Sequence, residues 1–408
     1  MALKHLKILN KLSTISFVLM IYSGLVKWIN IWPIDPTILF SAILSVCLLL
    51  SFLSKMKVTL VKNGFHYFNL IFPFTIWFFI SGFYSPSELY VYTKAINYVL
   101  IVLSFCVPFL IIKNKKDLIF IIYVIAIIGL IISLIFTYLY ILGGQNIYLT
   151  YFKLLENENP LGIPDYLALA TPVGIGALVL FFSKNKYIKI LSLFPIFTLV
   201  ILSGRAPILA FVLVLLIYVF YNIKLTKKHI RNSIVLVLIS MFSFTQISNI
   251  KSFDRLTSRF KVMSEGDTNQ NESLNVRYDL YNKSYQMFSS KPVFGIGLGA
   301  FGLYARGEDI RDHPHNMFLE VLIEQGIIGL ILLLIIFSPL LLKVYPKLIK
   351  SKDSTYFICG ALFIYESINV IKSSSIVENR PYFSIIGICF VAYLLLNTNK
   401  KSHIINEQ

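Results

Sequence analysis

The sequence predicts an all-α polytopic transmembrane bundle of about 12 spans with one large extracytoplasmic loop containing helices. Three observations carry this. Of the 408 residues, 57% are hydrophobic and only 14% charged, with a mean hydropathy of +0.75. That leaves too little polar surface to cover a soluble core. Apolar runs of bilayer-crossing length recur along the chain. The basic residues alternate between successive connections, as the positive-inside rule demands.

The apolar segments fall at 12–31, 36–53, 64–84, 92–112, 117–141, 163–182, 187–203, 205–221, 230–248, 316–342, 355–371 and 381–397. The first follows Lys4, Lys7 and Lys11, a basic start like that of a signal peptide. It lacks a small-x-small cleavage site and runs into further spans, so it reads as a retained anchor. With the N-terminus placed in the cytoplasm, the cytoplasmic connections hold 22 of the 37 Lys and Arg residues, in clusters such as Lys113/Lys115/Lys116 and Lys343/Lys347/Lys350/Lys352. The opposite short loops and span edges hold six: Lys27, Lys94, Lys153, Arg205, Lys372 and Arg380. The other nine lie in the loop at 249–315, which is long enough to escape the rule. The expected organisation is therefore a nine-span part (1–248), a large periplasmic loop (249–315), a three-span part (316–397) and a cytoplasmic tail (398–408). Both termini are expected in the cytoplasm. The net charge of +17 is mostly this topology signal, so no nucleic-acid partner is expected. Cys47, Cys106, Cys359 and Cys389 lie in apolar runs without metal-ligand spacing and read as small buried hydrophobes.

The loop contrasts with the spans. Between Asn275 and Ser290, Val276, Leu280, Met287 and Phe288 recur near helical spacing, and Ser289-Ser290-Lys291-Pro292 stops the run. This predicts a helix lying on the outer surface of the bundle, followed by a tight turn at Gly295, Gly297 and Gly299. These glycines do not have dinucleotide-binding spacing and are read as structural. A shorter piece, Phe253 to Phe260, sets Arg255 and Arg259 one turn apart to face lipid phosphates.

The densest polar cluster ends the loop: Arg311-Asp312-His313-Pro314-His315-Asn316, then Met317-Phe318-Leu319-Glu320 at the start of a span. An imidazole at the lipid–water boundary could transfer a proton to or from the headgroup of a lipid-linked substrate. The other reading is a helix N-terminal cap made by Asn316 or His315. No third ligand of the right type sits nearby to make a metal site. Arg205, in Ser203-Gly204-Arg205-Ala206-Pro207, lies at an outer turn with Pro207 in the first turn of the next helix. It is either a phosphate cradle at a helix N-terminus or a lipid anchor. Arg277, on the loop helix, is a third candidate or an ordinary solvated residue. The intramembrane acids Glu320, Glu324 and Glu366 should face the interior, at the site or paired with Lys372 or Arg380.

Ser203 to Pro207, Asn275-Val276-Arg277-Tyr278, Pro292 to Gly299 and His313 to Gly329 occur in an order that resembles the O-antigen ligase/polymerase superfamily of bacterial envelopes, over roughly residues 195–335. The resemblance implies a metal-independent, cofactor-free glycosyltransferase that passes a glycan from undecaprenyl diphosphate to an acceptor hydroxyl. It further implies that Arg205 and Arg277 hold the diphosphate and that His315 activates the acceptor, with His313, Asn316 and Glu320 as possible support. The two guanidiniums would neutralise charge on the departing diphosphate and hold the imidazole neutral. Pro207 departs from the small or aliphatic residue usual there, and neither Arg205 nor Arg277 begins one of the arginine–glycine repeats that mark some polymerase loops. The expected partners are undecaprenyl-diphosphate-linked donor and acceptor, membrane lipid, and a chain-length regulator and flippase of the same pathway. The leading function is a polymerase of O-antigen (or capsule) repeat units. The alternatives are a ligase to lipid A–core, a lipid-linked oligosaccharide flippase and a structural scaffold. The charges gather at the outer face rather than through the spans, which favours chemistry over transport.

Overall fold

A computed structural model describes residues 2–26, 34–53, 64–158, 166–202, 205–222 and 272–406. The predicted ninth span (230–248) and the Phe253–Phe260 piece with Arg255 and Arg259 lie outside the described residues. Among the described residues, every other predicted segment falls on helix and no strand occurs. In chain order the helices are α1 (Ala2–Tyr22), α2 (Pro36–Leu53), α3 (Gly64–Phe68), α4 (Ile71–Phe83), α5 (Tyr90–Ile111), α6 (Lys115–Glu158), α7 (Tyr166–Phe181), α8 (Lys186–Leu191), α9 (Leu193–Ile201) and α10 (Arg205–Asn222). After residue 271 come α11 (Glu272–Ser290), α12 (Phe301–Arg306), α13 (Met317–Pro339), α14 (Tyr345–Ile349), α15 (Ser354–Ser373) and α16 (Arg380–Asn406). Eight helical segments among the described residues are long and apolar enough to cross a membrane. Val46, Leu49, Phe52 and Leu53 of α2 stand exposed, the inverse of a soluble helix and what a hydrocarbon solvent calls for. The chain is a multi-pass, all-α membrane protein.

It divides into two compact units, residues 1–125 with 276–408, and residues 126–275. In the second unit, Gly129 of α6 meets Gly176 of α7, and a Cβ on Gly129 would lie 2.0 Å from the Pro172 carbonyl oxygen. Such small-residue contacts let membrane helices pack backbone to backbone. In the first unit, Phe78 stacks on Tyr98 with ring centroids 3.7 Å apart, joining α4 to α5. Gly387 of α16 packs against the Phe105 carbonyl of α5.

The contacts of the first unit sort the connections into two ends. At one end Lys115 pairs with Asp353. At the other, Asp309 accepts hydrogen bonds from Ser87 Oγ and the N–H groups of Glu88 and Leu89, which cap the start of α5. Arg311 pairs with Glu378 at that same end. Connections that the charge pattern assigns to one side of a membrane thus meet one another.

Candidate functional site

The site is built around a break in α13. Gly326 has φ 68° and ψ −168° in the middle of the helix, a conformation open to glycine alone. The break frees the carbonyls of Ile323, Glu324 and Gln325 and the N–H groups of Ile327 and Ile328. In apolar surroundings each needs a new partner. The loop that follows α11 supplies most of them. Ile296 N–H donates to the Ile323 carbonyl (2.9 Å) and Gly297 N–H to that of Glu324 (3.0 Å). Ile327 and Ile328 donate to the carbonyls of Pro292 (2.9 Å) and Val293 (3.4 Å). Trp77 Nε1 donates to the Gln325 carbonyl at 3.1 Å. The glycine stretch, read from sequence as a tight turn, is also the plug of a broken helix. At Gly297 (φ 104°) a Cβ would lie 2.5 Å from the Ser85 Cα, so only glycine lets the loop come this close.

Between the start of α13 and the break sits a group of buried charges. Lys94 of α5 is fully buried and pairs with Glu320 and, at 2.7 Å, with Glu324, both 1% exposed. Glu320 also accepts from Ser375 Oγ (2.8 Å) and the Ile376 N–H (2.7 Å), and Glu324 from the Gly299 N–H at 3.0 Å. Glu320 and Glu324 thus pair with Lys94 rather than with Arg380, which donates to the Met20 carbonyl and Ser23 Oγ; the Lys372 side chain lies outside the described residues. Glu366 is buried on α15, and its Oε1 has no hydrogen-bond partner among the described residues. The charge pattern alone counts Lys94 among the bases of the outer loops and span edges. Its place in an apolar stretch was the available signal.

Above the break lies the His313-Pro314-His315-Asn316 segment. Asn316 is the N-cap of α13, with its side-chain oxygen accepting from the N–H groups of Phe318 (3.0 Å) and Leu319 (3.1 Å). The capping alternative therefore holds for Asn316. It does not extend to His315, which has φ 54°, the only positive φ of a non-glycine residue among the described residues. His315 is half-buried, its Nδ1 is buried with no hydrogen-bond partner among the described residues, and its ring centroid is 4.7 Å from that of His313. Burial holds the imidazole below its ordinary pKa, and His313 and the Arg277 guanidinium push it the same way, against Asp312 and Glu378.

The cations around it differ in their partners. Arg306 pairs with Asp312 and Arg311 with Glu378, and Lys283 with Asp279. Glu378 stays ionised because His313 and Arg311 outweigh the burial that would raise its pKa. Arg277 has no such carboxylate among the described side chains, although its charge reaches His315. It is carried by α11, whose Leu280 and Met287 pack on Ile296, Ala300, Phe301 and Ile323, as the apolar spacing predicts. Arg277 and His315 thus share one neighbourhood. Arg205 begins α10 of the second unit with Pro207 in the first turn, and its side chain lies outside the described residues. Glu320 faces the Lys94 group. Among the described residues, no three His, Cys, Asp and Glu side chains are placed to hold a metal ion.

These features define a polytopic membrane protein with a polar, histidine-bearing site where a loop plugs a broken span. Residues 190–334 match the family model described as O-antigen ligase, a stretch that runs from α8 into α13 and contains Arg205, Arg277, His313, His315, Asn316 and Glu320. The match supports the O-antigen ligase/polymerase superfamily for this chain and points to a glycosyltransferase-like enzyme. No curated protein matches the chain.

Proposed function

We propose that this protein is an inner-membrane glycosyltransferase that joins undecaprenyl-diphosphate-linked O-antigen (or capsule) repeat units on the periplasmic face, without a metal ion. The observation that carries the reading is the His315 turn: a strained, half-buried imidazole whose Nδ1 lacks a partner among the described residues and whose pKa is held down by burial, by His313 and by Arg277. A neutral imidazole can take the proton of an acceptor hydroxyl as that oxygen attacks the anomeric carbon. The bond from that carbon to the diphosphate breaks, and undecaprenyl diphosphate leaves with the electron pair. Arg277, lacking a described carboxylate partner, is suited to receive the charge that builds on the phosphates, and Arg205 is assigned the same task. The donor, the acceptor and bilayer lipid are the partners this requires. A chain-length regulator and a flippase would serve the same pathway.

The strongly apolar span from Met317, with its Leu-Glu-Val-Leu-Ile-Glu-Gln-Gly start, resembles polymerase versions of the motif and favours polymerisation. The description of the matched family favours the second reading, a ligase that transfers the lipid-linked glycan to lipid A–core. The shared chemistry is tested with purified protein and lipid-linked donor in the presence of a chelator. His315→Ala should lower transfer by about 10²–10⁴-fold at normal membrane abundance, and His313→Ala should do less. Equal losses in the two, or a requirement for added divalent metal, would overturn the assignment.

A further inference from the structure

The proposed chemistry leaves the buried charges of α5 and α13 without a task. We infer that Lys94 is a positioning residue for His315: its ammonium clamps Glu320 and Glu324 onto the first two turns of α13 and thereby fixes the segments that hold the His315 turn. The inference rests on reading His315 as the base.

The bonds form a closed circuit. Glu320 N–H donates to the Asn316 carbonyl at 2.9 Å, so the first turn of α13 and the cap beside His315 move together. The Glu320 carboxylate also takes Ser375 Oγ and the Ile376 N–H. Two residues later Glu378 pairs with Arg311, which lies two residues before His313. Glu324 secures the other side, taking the Gly299 N–H from the loop that fills the break at Gly326. The oxygens of both carboxylates have donors, as ionised carboxylates need when buried. A buried cluster of this kind contributes little net stability against an apolar replacement of similar volume. Its effect is on geometry, and a misplacement of about 1 Å at a reacting group can cost about 10²-fold in rate. The groups that face His315, namely His313, Arg277, Asp312 and Glu378, sit on α11 and on the two segments that the circuit joins. Releasing the clamp therefore changes the surroundings of the imidazole without touching it.

The test reads His315 directly. Diethyl pyrocarbonate acylates neutral imidazole, and mass spectrometry of the His315 peptide across pH gives its protonation midpoint without any assay of transfer. Lys94→Met leaves two buried carboxylates without a cation. Lys94→Met with Glu320→Gln and Glu324→Gln, which removes every charge of the cluster at similar volume, is therefore measured beside it. In whichever variant folds, the midpoint should rise toward the ordinary 6.5, and kcat should fall by about 10²-fold with little change in KM for the donor. The acid limb of the rate profile should move with the midpoint. A folded variant with the midpoint of the unaltered protein overturns the inference, as does a loss confined to KM. If His315→Ala retains full transfer while the midpoint still moves in the Lys94 variants, the positioning stands and the proposed base falls.

Discussion

His315 occupies the left-handed region, which costs a non-glycine residue of order 1–3 kcal/mol unless its surroundings impose it. Its neighbours are held on both sides: Pro314 is buried, and Asn316 is tied to the first N–H groups of α13. His315→Gly should therefore be more stable to heat than His315→Ala, by about 1 kcal/mol, while both lose transfer to the same degree. Equal thermal stability would show that the turn stores no strain. The protonation state gives a second expectation. With the folded pKa held below 6.5, the neutral base persists through neutral pH, and the transfer rate should fall only as pH drops through that depressed value. Arg277→Lys keeps the charge but loses the two-pronged geometry that matches a phosphate, so its rate should drop strongly although the charge beside His315 is retained. The candidate imidazole was legible in the sequence because two histidines and a cap residue preceding an apolar run are a local pattern. Its strain and its orphaned Nδ1 depend on the three-dimensional surroundings and leave no mark in the spacing.

At the scale of elements, the broken α13 is the feature that periodicity could not reveal. Gly326 follows Glu324-Gln325 inside one predicted span and nothing in the spacing marks a break there; the groups that satisfy the break come from residues 292–297 and from Trp77. The start and end of α11 could be read because apolar spacing and a Ser-Ser-Lys-Pro stop are local signals. Lys94 could not be assigned because its carboxylates lie 226 and 230 residues away in sequence. The break also predicts a contrast between two glycines of similar φ. A Cβ at Gly326 would lie 2.1 Å from the Val293 carbonyl oxygen, whereas nothing lies within 4 Å of one at Gly307 (φ 78°). Gly307→Ala should cost only the backbone strain, about 1 kcal/mol. Gly326→Ala should cost more, because its ψ of −168° closes the conformation to other residues, and should add an overpacking penalty of about 1–3 kcal/mol. Thermal unfolding in detergent measures both, and equal shifts would mean that the loop does not plug the helix in the membrane.

At the scale of the whole molecule, the charge alternation and the contacts at the two ends of the first unit arrive at the same grouping of connections by independent routes, since Lys115 meets Asp353 at one end and Arg311 meets Glu378 at the other. Which end faces the cytoplasm follows from the charge bias alone. Reporter fusions at Lys115, Lys227 and Lys350 should read cytoplasmic and one at Gly266 periplasmic; a cytoplasmic Gly266 would remove the candidate site from the side where the lipid-linked donor is expected. Given that side, the choice between polymerase and ligase turns on the acceptor, which is either another lipid-linked repeat unit or a lipid A–core sugar. Both activities would use Arg205, Arg277 and His315 in the same way, so point variants cannot separate them, and a deletion strain can. Without a polymerase, ligation continues and each lipopolysaccharide carries a single repeat unit. Without a ligase, long chains accumulate on undecaprenyl diphosphate while the core stays bare. The polymerase reading expects the first pattern, and bare core with accumulated long chains would transfer the assignment to the ligase.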